Sequence, residues 1–300
     1  MPMRLSRFLF PFLFVCALLL AASPAMAGQV VPVVAAENVW GDIAAQIGGS
    51  DVAVSSILSA PQIDPHLFEP TPATARMVAG ASVIIANGAG FDPWMDRLAA
   101  SRGADLGVTF LRVADVVGWH DGENQHLWFD PDNVAKLGVA LGTALHRAGA
   151  DDGAVARLAG LDRDVAALKS RIADMRRRFG GMRVSATEPL LGQLTAELGL
   201  VMENDAFQLA VMNDVEPGPA EVARFETDLR GGQVRLLIYN EQTVTPAASR
   251  LLGIARQAGV PCLAMTETLP PGLHWQGWMA RILDSIEHTL GQPERVAGAK

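Results

Sequence analysis

Three short apolar runs, VVPVVAAE (30–37), VAVSSIL (52–58) and ASVIIANG (81–88), stand among stretches with helical spacing, WGDIAAQIGG, TPATARMVAG and DPWMDRLAAS. Runs that are apolar throughout, rather than alternating, are strands buried on both faces. Strands that alternate with helices pair in parallel, because each helix carries the chain back across the sheet. After Gly180-Gly181 the rhythm starts again. MRVSAT (182–187), GLVME (199–203), VRLLIYN (234–240) and VPCLAM (260–265) read as strands. LLGQLTAEL, PGPAEVARFETDL, TPAASRLLGIARQAG and WQGWMARILDSIEHTL read as helices. Between the two series, Val155, Leu158, Leu161, Val165, Leu168, Ile172 and Met175 recur at three- and four-residue steps. That spacing predicts one helix over about 152–179, roughly 40 Å long at 1.5 Å per residue. A crossover within one lobe needs less. The expected fold is therefore α/β, with two Rossmann-like lobes of mainly parallel sheet joined by one long bridging helix. The lobes are expected at 28–149 and 181–300, with the bridge at 150–180.

The first 27 residues are read as a secretory signal rather than as part of the fold. Arg4 and Arg7 precede an apolar run, Phe8 to Ala22, and Ala25-Met26-Ala27 has the small-x-small form of a cleavage site. The run is shorter than the roughly 20 residues a spanning helix needs and it contains Pro11. Cys16 lacks the small residues that precede a lipid-modified cysteine. The expected product is a soluble periplasmic protein of about 273 residues. Loss of the two arginines takes the formal charge from −8 to about −10. An acidic exported chain suits a cation or a basic partner and is a poor candidate for nucleic acid. Only Cys262 remains after cleavage, so no intramolecular disulfide is expected, and GVPCLAM places that cysteine in a buried strand.

Two of the six histidines stand out. His66 lies in PQIDPHLFEPTP, where four prolines exclude helix interior and central strand and stiffen a loop. His126 lies in NQHLWFDP. Each is followed by Leu and an aromatic residue, and each falls in a loop at a sheet end, where ligands of open α/β sheets bind. His146 and His288 sit late in helices, where the dipole favours them, and His274 follows Pro270-Pro271-Gly272 as a loop cap. In the second half, Glu188 follows the strand MRVSAT and Glu241 follows VRLLIYN. Both are positioned to face a cleft, or equally to sit as acids at a helix N-terminus. The loop WHDGENQH (119–126) carries two histidines and two acids and reads as a solvated loop that could collect ions weakly.

DPHLFEPTP, NGAGFDPWMDRL (87–98), HLWFDPDNV (126–134), ATEPLLGQLTAELGL (186–200), IYNEQ (238–242) and TETLPPG (266–272) follow one another in a familiar order. Over nearly the whole chain after residue 27 this resembles the metal-specific solute-binding proteins of zinc and manganese ABC importers. The resemblance implies two lobes clamping one divalent ion, with His66 and His126 from the first lobe and Glu188 and Glu241 from the second. It also implies a membrane permease as partner and a monomer. The zinc-importing branch usually has a third histidine where this chain has Glu188. Asn240 competes with Glu241 for the fourth position, and Asp214 and Glu216 are further acids without an assigned place.

Two imidazoles and two carboxylates give a shell of charge −2, which balances a divalent cation. Nitrogen with oxygen suits zinc or manganese, with ferrous iron behind them. Asp64, Glu69 and Asp130 are the candidates to orient the imidazoles from behind. An exported metal-dependent hydrolase using the same cluster is the alternative, although no HExxH motif is present. A third reading is a binder of chelated iron using Tyr239.

Overall fold

The computed structural model describes residues 30–293 except 63, 103–106, 152, 214 and 244. The segment expected to be a signal, Asp152 and Asp214 thus lie outside the described residues. In chain order the first half contains β1 (Val31–Glu37), α1 (Asn38–Gly48), β2 (Val52–Leu58), α2 (Pro72–Ala79), β3 (Val83–Ala86), α3 (Pro93–Ser101), β4 (Thr109–Arg112), α4 (Val113–Val117) and α5 (Pro131–Arg147). Then follows α6 (Gly153–Phe179). The second half contains β5 (Arg183–Ala186), α7 (Gly192–Glu197), β6 (Val201–Glu203), α8 (Asp205–Met212), α9 (Pro219–Arg230), β7 (Leu237–Asn240), α10 (Pro246–Ala258), β8 (Cys262–Met265) and α11 (Trp275–Leu290).

Each half holds a four-stranded sheet, ordered β2-β1-β3-β4 in the first and β6-β5-β7-β8 in the second. Every strand pair is parallel. The two lobes therefore repeat one topology, as the twofold rhythm of the sequence predicts. The bridging helix α6 runs 27 residues. Its buried residues Leu161, Val165, Leu168, Ile172, Met175 and Phe179 form one stripe at alternating steps of four and three. Three elements escaped the sequence reading. TFLR in β4 is half-buried along its length and only four residues long, α4 is a single short turn directly after it, and α8 follows the three-residue β6 with Asn204 alone between them.

A second connection joins the lobes. α11 packs against α6 and α1 rather than staying within the second half. The Trp275 indole N–H donates to Trp128 O at 2.8 Å. The Trp278 and Phe129 rings lie 5.1 Å apart. Asn38 and Leu269 exchange two hydrogen bonds, of 2.8 and 2.9 Å. One hydrophobic cluster consequently runs through both halves, from Val33 and Ile84 to Ile238, Met265 and Ile282. Phe129 is fully buried at this junction, so Phe129→Ala is expected to lower unfolding free energy by about 3–5 kcal/mol. Urea unfolding checks this, and a loss below about 1 kcal/mol, the scale of a change away from the core, would show that the junction carries little.

Candidate metal centre

The His66 loop is built to hold one conformation. Asp64 caps a short 3-10 turn, Pro65–Leu67, by accepting from the His66 backbone N–H at 2.9 Å. Beyond it, Thr71 and Thr74 form a reciprocal capping box at the start of α2, with Pro72 in the first turn. The His66 side chain is a quarter exposed. Its ring lies 5.5 Å from Phe91, which in turn lies 6.0 Å from His126. Phe91 is seated by a tight turn after β3 in which Gly88, Ala89 and Gly90 all take positive φ, of 70°, 57° and 81°. Ala89 is strained there. The buried Asp92 offsets that strain by accepting from the backbone N–H groups of Asn87 (2.8 Å) and Gly88 (2.7 Å). Burial pushes Asp92 up to about 6 despite these bonds. Glu37, buried beside it at the end of β1, is held well above the carboxylate range by burial and by the Asp92 charge.

Ligand atoms of His66, Glu188 and Glu267 lie within 4.8 Å of one another. His66 Nε2 stands 3.4 Å from Glu267 Oε2. His126 falls outside that mutual distance but borders the group through Phe91 and is fully enclosed. Its Nε2 has no hydrogen-bond partner, and neither has Glu188 Oε1, while Glu267 Oε2 faces the His66 ring. Buried polar atoms left without partners cost free energy unless something else satisfies them. Two such atoms, on His126 and Glu188, border the His66–Glu267 pair, an arrangement of donors that a cation could satisfy.

The electrostatics agree. Burial pushes His66 down, but the hydrogen bond and charge of Glu267, with Glu188 and Asp64 behind them, carry it up to about 9. Burial alone dominates at His126 and takes it down to about 4. Burial and the Glu267 charge raise Glu188 to about 8. Burial raises Glu267, yet the His66 hydrogen bond and the charges of both histidines outweigh it and hold that carboxyl below its usual range. Near neutral pH the metal-free cluster is therefore His66 protonated, Glu188 protonated, Glu267 ionised and His126 neutral.

Glu241 is not part of this group. It is exposed at the end of β7 and lines a separate surface cavity with Pro61, Leu263 and Trp278. The preceding residue explains why. Asn240 is buried and turns its side chain inward, donating to Glu267 Oε1 at 2.5 Å and to Thr243 at 3.1 Å. Neighbouring residues at a strand end point to opposite sides, so Glu241 points out. The acid that does face the cluster comes from the next strand. Glu267 stands two residues past β8, held by Gln242, whose Oε1 accepts from the Glu267 N–H at 2.5 Å. Its signal was present in TETLPPG, an acid after an apolar strand followed by two stiffening prolines. Glu216 is exposed.

The expected orienting acids also differ. Asp64 acts on the His66 backbone and, by charge, on its ring. Asp130 caps α5, and Glu69 is exposed. The partner of the His126 ring is Asn124, whose Oδ1 lies 2.9 Å from Nδ1. WHDGENQH is thus solvated only in part: His120 is 82% exposed, whereas Asn124 reaches inward. Asp130, Asp132 and Glu197 also converge, but Lys169 Nζ already sits 2.5 Å from Asp132 Oδ1.

Counting along the two sheets reveals an internal correspondence. Ala35 pairs with Ile85 in the first lobe and Ala186 with Ile238 in the second. Two residues beyond each position stand Glu37 and Asn87 in one lobe, Glu188 and Asn240 in the other. Each lobe thus carries a buried glutamate and asparagine at the point where strand order reverses. Only the second lobe turns its glutamate toward the cluster.

The family model described as zinc-uptake complex component A, periplasmic, matches residues 33–289. The chain belongs to this family. It is 29% identical over 111 residues to the manganese-binding lipoprotein MntA of Halalkalibacterium halodurans, covering 36% of this chain and 37% of that one. It is 29% identical over 145 residues to the manganese ABC transporter substrate-binding lipoprotein PsaA of Streptococcus anginosus, covering 43% and 47%. The matches span less than half the length of these curated relatives. Among solved structures, a crystal structure of ZnuA superposes with a TM-score of 0.68 at 16% identity, covering 87% of this chain and 99% of that one. The periplasmic zinc-binding protein TroA from Treponema pallidum gives 0.67 at 14%, with the same coverage. At these identities the structures establish the shared fold.

Proposed function

We propose that this chain captures one divalent transition-metal ion, zinc or manganese, in the periplasm and delivers it to the membrane permease of an ABC importer. The observation that carries this reading is the pair of buried, partnerless ligand atoms on His126 and Glu188, gathered with the paired His66 and Glu267 from loops of both lobes. The ligand set is His66, His126, Glu188 and Glu267. Two imidazoles and two ionised carboxylates neutralise a divalent ion, and no thiolate is present, since Cys262 lies in β8. The ion is cargo. Four protein donors leave no open position for a reacting water, which a catalytic zinc site keeps. The hydrolase alternative gains no support from relatives named for manganese and zinc binding. Those names also support the importer as partner.

In this reading residues 1–27 are a cleaved signal, 28–149 and 181–300 are the metal-holding lobes, and 150–180 is the bridge. Among the described residues no helix is long and apolar enough to cross a membrane. Because α6 and α11 both span the lobes, release depends on the ligand-bearing loops more than on a wide hinge. Calorimetric titration of metal-stripped protein is expected to show one site for zinc and for manganese, tighter than about 1 μM, or about −8 kcal/mol. Absence of such binding for either metal overturns the proposal.

A further inference from the structure

The side chain of Asn124 touches both lobes at once. Its Oδ1 accepts from the His126 backbone N–H at 2.8 Å and lies 2.9 Å from His126 Nδ1. Its Nδ2 donates to Pro189 O, the carbonyl next in sequence to Glu188. Its own backbone carbonyl accepts from Gln193 Nε2 at 3.2 Å. These contacts fix the amide. A backbone carbonyl can only accept, so the NH2 end must face Pro189 and the oxygen must face His126. His126 Nδ1 is then the protonated nitrogen, and the partnerless Nε2 carries the lone pair. The opposing lobe makes room for this. Gly192 opens α7 with a helical backbone, and a Cβ there would stand 2.5 Å from Asn124 Nδ2.

We propose that Asn124 is a positioning residue that clasps the lobes across the metal centre. One amide presents the His126 lone pair to the ion and ties the His126 loop to the Glu188 loop. The ion leaves when the amide releases Pro189. This rests on the metal-capture reading above, and it adds a determinant of release rate that is not itself a ligand.

The test compares wild type, Asn124→Ala, Gly192→Ala and the double variant as mature chains. Zinc release into excess EDTA is followed by stopped flow, with visible spectra of the cobalt(II)-loaded proteins and melting of the metal-free forms alongside. Asn124→Ala is expected to release zinc about 10- to 100-fold faster, with little change in association rate and with shifted cobalt bands. Gly192→Ala, a change that otherwise favours a helix, is expected to speed release as well, because its methyl displaces the amide. In the double variant that second effect vanishes, since no amide remains to be displaced. Release at the wild-type rate from Asn124→Ala overturns the proposal. So does a Gly192→Ala effect that persists in full in the double variant. Should Asn124→Ala not fold, Gly192→Ala decides alone: faster release at an unchanged melting temperature supports the clasp, and an unchanged rate refutes it. Failure of the wild type to bind metal refutes the capture reading instead.

Discussion

Glu267→Gln lowers zinc or manganese affinity by about a thousandfold, whereas Glu241→Gln leaves it within about twofold. The first effect follows from burial. Glu267 is fully enclosed and carries its charge against the raised His66, 3.4 Å from its Nε2. Removing one member of a buried charge pair costs about 3–5 kcal/mol, and 1.4 kcal/mol is a factor of ten. An amide keeps the shape of the carboxylate and its acceptor toward Asn240 but takes away the charge that faces the ion. Glu241 is exposed and faces away, so its charge is screened by solvent. Titration of both variants distinguishes them. Intact binding in Glu267→Gln together with loss in Glu241→Gln would restore the ligand set expected from the sequence.

Metal uptake at pH 7 is expected to expel close to two protons. His66, raised to about 9, and Glu188, raised to about 8, both hold a proton there and must lose it to coordinate. His126, lowered to about 4, is already neutral and contributes none. The sign is therefore fixed. Affinity falls as pH is lowered, by up to about 100-fold per unit below pH 8, where two protons compete, and by about tenfold per unit between 8 and 9. The metal-free fold runs the other way. Both groups bind their protons more tightly when folded, so their contribution to stability is complete below their ordinary values of 6.5 and 4.5. It is lost as pH rises through about 9 and about 8 respectively. Calorimetry in buffers of different ionisation enthalpy counts the protons. A count near zero at pH 7, or an affinity flat from pH 6 to 9, contradicts the charge states assigned to the cluster.

The fold was legible because its signals are long-range repetitions of simple patterns. The strand–helix rhythm, its restart after Gly180-Gly181, and the α6 stripe each state a buried face directly. β4 was illegible for the opposite reason: four half-buried residues ending in Arg112 give no apolar contrast. In the candidate site, loop chemistry and position past a strand pointed to His66 and Glu188, which the structure brings together, and to His126, which borders them. Glu241, expected in the fourth position, lies outside the cluster and Glu267 lies within it, because sequence gives the end of a strand but not which way each side chain there points. Asn240 decides that, through bonds to Glu267 and Thr243 that no spacing announces. Asn124 was hidden likewise, since its partners His126 and Pro189 belong to different lobes and meet only when the chain has folded.

Side chains from both halves are expected to share one ion at one place in space. Diffraction from metal-loaded crystals at the zinc or manganese absorption edge tests it most directly. One anomalous peak is predicted, within about 2.0–2.3 Å of His66 Nε2, His126 Nε2 and a carboxylate oxygen of each of Glu188 and Glu267. A peak beside Glu241, or among Asp130, Asp132 and Glu197 with none at the two histidines, would contradict the account.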